Sequence, residues 1–158
     1  MANILHKDVV AHLTELPQNI RKPLILCDAD EVLLSFMNFF EKYIHAQGLY
    51  YAWRCNYLDG NILIKKNGEP LSKSTIRKLL LDFYSTNCEK LKPVPGASEA
   101  LNRLSEKADV IILTNIWKKY KTIRQRQLNS YNLDYPVICN IGAKGPAVAW
   151  ITQNRKSP

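Results

Sequence analysis

The segment Pro23-Leu-Ile-Leu-Cys-Asp28-Ala-Asp30-Glu-Val-Leu-Leu34 decides the fold of this chain. It begins with an apolar run, from Leu24 to Cys27, which is too short for a core helix and has the pattern of a strand buried on both faces. Asp28 and Asp30 follow at the carboxyl end of this strand, and an apolar, helix-forming segment runs from Val32 to Tyr43. In open α/β sheets, ligands bind outside the carboxyl ends of the strands. Because two carboxylates placed there repel each other unless a cation holds them, the segment predicts a metal-assisted site.

The same two acids also have a simpler interpretation. Aspartate is a common turn residue and a favoured residue at the start of a helix. Asp28 and Asp30 could therefore be a helix cap and a solvated neighbour. This segment alone favours neither interpretation, so the rest of the chain has to decide between them.

The composition bounds the class of protein. A chain of 158 residues with 46% hydrophobic and 23% charged residues is expected to form one domain, or one core with a modest insert. The four cysteines have no zinc-binding spacing, which fits a reducing cytoplasm. The amino-terminal residues include an acid and lack the apolar segment of a signal peptide. No apolar run approaches the roughly 18 residues of a membrane span. We therefore expect a cytoplasmic protein with no signal peptide and no membrane partner.

The net charge is +8, which would attract nucleic acids or phosphate compounds. The basic residues are scattered, however, and no recognisable nucleic-acid motif accompanies them. We expect most of them, Arg124 and Arg126 included, to form solvated helix faces. The sequence thus predicts no specific nucleic-acid partner.

Two further strands are predicted after the first one. The run from Asp109 to Thr114 reads as a second buried strand, and the run from Tyr135 to Cys139 as a third. Residues 49–71 are irregular and rich in aromatic side chains, with Ile62 to Ile64 as a brief strand. Helices are predicted near residues 8–16, 72–86, 97–108, 118–131 and 145–153. Strands that alternate with helices predict a parallel sheet with right-handed crossovers.

Polar groups of three kinds follow the three strands. They are the carboxylates of Asp28 and Asp30, then Thr114 with Asn115, and then Lys144. Parallel pairing would bring all of them to one edge of the sheet. A carboxylate nucleophile, a second carboxylate for proton transfer, a hydroxyl donor and an ammonium group are what phosphoryl transfer through an aspartyl phosphate requires. Mg²⁺ fits such a site because it commonly takes only one or two protein carboxylates.

These motifs resemble those of the haloacid dehalogenase superfamily. Asp28-Ala-Asp30-Glu-Val-Leu33 resembles its first motif, Asp-x-Asp-x-Thr/Val-Leu/Val, and Ile111-Ile-Leu-Thr114-Asn115 resembles its second. Lys144 is placed like the lysine of the third motif, and Lys92-Pro-Val-Pro-Gly96 is typical of the segment that leads to the second. The resemblance covers roughly residues 23–150, and the order and spacing are more specific than any single motif.

The resemblance implies a fold with two parts. It implies a Rossmann-like parallel sheet in a three-layer α/β/α arrangement, formed by residues 1–34 and 93–158. Residues 35–92 would be a mostly helical cap, inserted after the first strand, of the kind that supplies substrate specificity. The candidate substrate contacts in this cap are aromatic or basic, although packing within the cap is the simpler role for them: Tyr50, Tyr51, Trp53 and Arg54.

The resemblance also implies an activity and a role for each site residue. The chain would be a Mg²⁺-dependent phosphomonoester hydrolase of the phosphatase branch, acting on a small-molecule phosphate. Asp28 would be the nucleophile and a metal ligand. Asp30 would be the general acid and base, and its backbone carbonyl would bind Mg²⁺. Thr114 would hydrogen-bond the phosphoryl group, and Asn115 would bind the substrate. Lys144 would hold both the phosphoryl group and the nucleophile.

One departure from the family pattern leaves alternatives open. The family has a fourth motif, a pair of acids after another apolar strand, but the last acid of this sequence is Asp134 and the sequence ends in Arg155-Lys-Ser-Pro158. We therefore expect a core that is incomplete at its carboxyl side, weak Mg²⁺ binding, and a homodimer formed through the exposed edge of the first strand. The alternatives are a truncated or non-catalytic relative with little activity and a basic nucleic-acid-binding protein.

Overall fold

The computed structural model describes residues 7–14, 22–55 and 57–154. The chain divides into two compact units, with Met1–Leu34 and Pro93–Pro158 in unit 1 and Ser35–Lys92 in unit 2. Two predictions concern residues outside the described ranges. These are the extension of the first helix to Leu16 and the expectation of an incomplete core, which concerns residues 155–158.

In unit 1, helices and strands alternate along the chain. The six helices of the described part are Lys7–Thr14 (α1), Phe36–His45 (α2), Lys73–Asn87 (α3), Ala97–Ser105 (α4), Lys121–Asn129 (α5) and Gly145–Asn154 (α6). The strands are Leu24–Cys27 (β1), Leu49–Tyr51 (β2), Ile62–Ile64 (β3), Asp109–Thr114 (β4) and Val137–Cys139 (β5). Short 3₁₀ turns at Cys88–Lys90 and Lys118–Tyr120 follow α3 and precede α5.

Unit 1 contains a parallel sheet of three strands in the order β1-β4-β5. Cys27 is opposite Ile112, and Thr114 is opposite Cys139, so the carboxyl ends of the strands lie at one edge. The central strand, β4, is buried from Val110 to Thr114. The prediction of an α/β fold with a parallel sheet is confirmed, and the arrangement is compatible with a Rossmann-like fold.

The core of unit 1 is built from alternate residues of the strands and from two helices. Residues two apart on a strand share a face, and Ile111, Leu113 and Ile138 form one cluster with residues of α1 and α6. The helix residues in this cluster are Val9, Leu13, Ala147 and Ile151. Burial of each Val, Leu or Ile side chain in this cluster stabilises the fold by about 1.5–3 kcal/mol relative to exposure. The cluster therefore fixes the sheet against α1 and α6.

The chain turns tightly after β1 before it enters α2. The carbonyl of Ala29 accepts hydrogen bonds from the backbone N–H groups of Leu33 (2.8 Å) and Leu34 (2.9 Å). Glu31 adopts the left-handed conformation, with φ at 61°, which interrupts any helix at that point. The predicted helix start at Val32 is therefore wrong, and α2 begins four residues later at Phe36.

Unit 2 combines two helices with a two-stranded antiparallel sheet. The α2 and α3 helices meet through aromatic rings, with Phe83 edge-on to Phe36 and Phe40 at centroid distances of 5.3 and 5.2 Å. Ser72 caps α3, because its side chain accepts a hydrogen bond from the Thr75 N–H. The predicted strand Ile62–Ile64 is confirmed, but its partner β2 lies in a stretch that the sequence analysis left irregular.

The two chain segments that join unit 2 to the rest of the chain run side by side. Leu34 and Pro93 form an antiparallel bridge. The Ser35 N–H donates to the Lys92 carbonyl, and the Val94 N–H donates to the Leu33 carbonyl, both at 2.9 Å. The insertion therefore begins and ends at neighbouring points of the backbone. Across the described ranges, no helix is both long and apolar enough to cross a membrane.

Candidate functional site

The first predicted acid, Asp28, follows β1 directly and forms an ion pair with Lys144. Asp28 Oδ2 contacts Lys144 Nζ, and Asp28 Oδ1 accepts a hydrogen bond from the Ala29 N–H at 2.7 Å. The side chains of Asp28 and Lys144 are 40% and 28% exposed, so the pair is open to solvent. The structure thus brings two of the predicted groups into contact at the carboxyl edge of the sheet.

The loop that carries Lys144 is anchored by a network of amide side chains. Asn140 Nδ2 donates to Asn115 Oδ1 (2.7 Å) and to the Gly142 carbonyl (2.9 Å), and Asn115 Nδ2 donates to the same carbonyl (3.0 Å). Gly142 has a φ of 79°, which favours glycine at this position. This network ties the ends of β4 and β5 together just before Lys144.

Two asparagines follow the ends of β4 and β5, and the sequence predicted a role only for Asn115. Asn115 was predicted to bind substrate, but in the structure its side chain holds the loop, and it is exposed. Asn140 was missed, although it follows the third strand and so carries the signal that identified Asp28 and Thr114. It is 2% exposed, and its Oδ1 has no hydrogen-bond partner within the described residues.

The second predicted acid, Asp30, forms an ion pair with Arg124 of α5. Arg124 Nη1 lies 2.7 Å from Asp30 Oδ1. The Arg124 side chain is fully buried, whereas 20% of the Asp30 side chain is exposed. The expectation that Arg124 lies on a solvated helix face is therefore wrong. The buried face of α5 consists of Arg124, Gln127 and Leu128, so two of its three residues are polar.

Thr114 ends the central strand, between the strand ends that precede Asp28 and Lys144. Its side chain is fully buried, and its hydroxyl has no hydrogen-bond partner in the described part of the chain. Among the described residues, the Thr114 hydroxyl therefore makes no hydrogen bond to Asp28 or Lys144. A buried hydroxyl without a partner costs free energy unless a ligand or water satisfies it, and this makes Thr114 a candidate ligand contact.

The charges of the site balance without any added ion. Two carboxylates, Asp28 and Asp30, are paired with two cations, Lys144 and Arg124. The repulsion that the sequence analysis expected a metal to relieve is thus offset by side chains of the protein itself.

The donor chemistry of the site nevertheless fits Mg²⁺ bound through few protein ligands. Carboxylate oxygens are the ligands this ion prefers, and the partial exposure of Asp28 and Asp30 suits an ion that keeps several waters. In residues 7–14, 22–55 and 57–154, no group of three or more His, Cys, Asp or Glu side chains could hold a metal ion. Any metal bound here would therefore depend on these two acids, on backbone oxygens and on water.

Two cysteines lie beside the site and are poor nucleophiles. Burial raises the pKa of Cys27, and the Asp28 charge raises it further, although Lys144 acts in the opposite direction. Burial raises the pKa of Cys139 to about 11, against the opposing effect of nearby cations that include Lys121 and Arg124. Both thiols stay protonated at neutral pH, so neither is suited to nucleophilic catalysis.

The aromatic candidates lie in unit 2, and their environments differ. Tyr51 is buried, and its hydroxyl donates to the Cys55 carbonyl at 2.6 Å, so packing accounts for it. Trp53 is 63% exposed and adopts a φ of 51°. Its ring lies edge-on to Tyr51, and its Nε1 donates to Glu41 Oε1 at 2.5 Å. Trp53 is thus an exposed aromatic side chain held in a fixed position.

Comparison of the chain with protein-family models, with curated proteins and with solved structures finds no significant match. The function is therefore inferred from the side chains of the site itself.

Proposed function

We propose that this protein is a phosphomonoester hydrolase that acts through an aspartyl-phosphate intermediate. The observation that carries the proposal is the ion pair of Asp28 with Lys144 at the carboxyl edge of a parallel sheet. An exposed carboxylate beside an ammonium group provides a nucleophile together with a cation for the phosphoryl oxygens. The Thr114 hydroxyl, at the end of the central strand, gives further support, because no group in the described part of the chain hydrogen-bonds it.

Each residue has a defined part in the proposed reaction. Asp28 attacks phosphorus through a carboxylate oxygen while the bond to the leaving oxygen breaks, and Asp30, entering this step as a carboxylic acid, gives that oxygen its proton and becomes the carboxylate. Asp30 then takes a proton from the water that attacks the aspartyl phosphate, which releases phosphate and restores Asp28. Lys144 and Thr114 stabilise the charge on the phosphoryl oxygens in both steps.

Mg²⁺ belongs to the proposal as the expected cofactor. The Asp28 carboxylate and the Asp30 backbone carbonyl would hold it, and when bound it would neutralise charge on the phosphoryl oxygens. The substrate class is a small-molecule phosphate. The family resemblance adds that the core has three layers and that residues 35–92 act as a cap that selects the substrate.

Release of phosphate from an aryl phosphate, with Mg²⁺ and after its removal by a chelator, tests the proposal. We expect turnover in the unaltered protein and none above background in Asp28→Asn. Asp59→Asn is the matched control, because Asp59 also forms an ion pair, with Lys73 at 3.1 Å, but lies in unit 2. This control should keep full activity, and equal activity in the two variants would refute the proposal.

A second measurement tests the intermediate. Acid quenching during turnover, followed by mass spectrometry of peptides, should find one phosphoryl group on the peptide that contains Asp28. In Asp30→Asn, breakdown of the intermediate should be slowed about 10²–10⁴-fold. If this variant turns over substrate but yields no phosphorylated peptide, the result would argue for direct attack by water.

A further inference from the structure

We infer that Arg124 is a positioning residue that holds the Asp30 carboxyl group in the orientation required for proton transfer to the leaving group. The inference rests on the proposed function and extends it to a residue that no motif identifies. The observation behind the inference is the ion pair between Arg124 Nη1 and Asp30 Oδ1 at 2.7 Å.

The geometry makes Arg124 a rigid support for Asp30. The Arg124 side chain has no exposed surface, and the helix that carries it packs against β5. A planar guanidinium held by its surroundings restricts the carboxyl group it contacts more than a flexible ammonium would. Asp30 itself remains 20% exposed, so a ligand can approach the carboxyl group while Arg124 holds it from the buried side.

Stability alone does not account for an arginine at this position. A buried ion pair loses much of its Coulomb energy to desolvation, and apolar residues of similar volume often stabilise as well or better. The neighbouring buried position on α5, Leu128, shows that this face accepts an apolar side chain. The loop around Asp30 is already fixed by backbone hydrogen bonds to the Ala29 carbonyl, so Arg124 acts on the side chain of Asp30 rather than on its backbone.

The role of Arg124 can be separated from a purely structural one by the choice of leaving group. A nitrophenolate departs without help from an acid, whereas an alkyl alkoxide needs a proton as the bond to phosphorus breaks. Loss of a well-placed proton donor therefore slows the hydrolysis of an alkyl phosphate far more than that of a nitrophenyl phosphate. A loss of folded protein slows both reactions by the same factor.

The experiment measures kcat and KM for para-nitrophenyl phosphate and for glycerol phosphate with the full chain and three variants. Breakdown of the aspartyl phosphate is common to both substrates, so the comparison uses kcat/KM, which reports the steps up to departure of the leaving group. In Arg124→Met we expect kcat/KM to fall about 10²-fold for glycerol phosphate and less than about tenfold for the aryl substrate. Arg124→Lys keeps the charge without the planar fork and should show a smaller split in the same direction. Arg126→Met alters an exposed arginine of the same helix and should leave both values unchanged.

The outcomes distinguish this inference from the proposed function. An unaltered protein that hydrolyses neither phosphate overturns the proposed function and, with it, the catalytic role of Arg124. An active protein whose Arg124→Met and Arg124→Lys variants lose the same factor on both substrates overturns only the inference about Arg124. If Arg124→Met does not fold, the split measured in Arg124→Lys decides the question.

Discussion

Removal of either partner from the Asp30–Arg124 pair should destabilise unit 1 by unequal amounts. Asp30→Ala leaves a fully buried guanidinium without the Asp30 carboxylate, and arginine cannot discharge itself by losing a proton. Breaking a buried ion pair in this way costs about 3–5 kcal/mol of the free energy of unfolding. Arg124→Met leaves the carboxylate of Asp30, which is 20% exposed and keeps contact with water, so we expect a cost of about 1–3 kcal/mol.

Urea denaturation followed by tryptophan fluorescence measures the two costs. A Trp53→Phe background removes the signal of unit 2, so that Trp117 and Trp150 report on the unit that contains the pair. The double variant Asp30→Ala/Arg124→Met should be more stable than Asp30→Ala alone, because it no longer contains the buried guanidinium of Arg124. Equal costs for the two single variants, or a double variant whose cost is their sum, would refute this reasoning.

Four other predictions concern the packing of particular side chains. Cys55 is exposed and should react at once with a chromogenic disulfide reagent at neutral pH, whereas Cys139 should react only after unfolding. Because the pKa of Cys139 is raised from 9.0 to about 11, the unfolded chain loses this proton first, and the free energy of unfolding should fall as the pH rises through that range. This decline should be smaller in Cys139→Ala. Ser72→Ala should cost about 1 kcal/mol by removing the cap of α3, and Ser74→Ala should cost less; thermal denaturation compares them. Asn140→Ala removes two hydrogen bonds from the loop before Lys144 and should cost about 1–3 kcal/mol in the same assay, with reduced phosphatase turnover.

The sheet could be predicted because its signal is local. The apolar runs that became β1, β4 and β5 are bounded by polar residues, and the alternation with helices implies parallel order. The contact between Asp28 and Lys144 then follows from topology, since parallel strands bring their carboxyl ends together. The start of α2 could not be predicted, because the apolar composition of this helix extends back to Val32 without a boundary. The turn at residues 31–33, where Glu31 has a left-handed backbone, has no such signal in the sequence.

The burial of Arg124 left no comparable signal in the sequence. It stands among Lys118, Lys119, Lys121 and Arg126, and α5 has no apolar stripe that would distinguish its buried face. Only the tertiary contact with Asp30, which lies 94 residues away in the chain, shows which cation is buried. Short strands such as β2 are hidden for a similar reason, because their pairing depends on a partner beyond the local window.

Because Leu34 and Pro93 form a bridge, residues 35–92 could be removed or replaced without separating the two chain ends that flank them. The backbone leaves and re-enters unit 1 at paired positions, so a short turn could join the two ends with little loss of chain entropy. A gene that lost, lengthened or replaced residues 35–92 would keep the acid–amine pair of Asp28 and Lys144 encoded on the flanking segments. Under the proposed function, residues 35–92 could thus change while the residues that carry the reaction stay as they are.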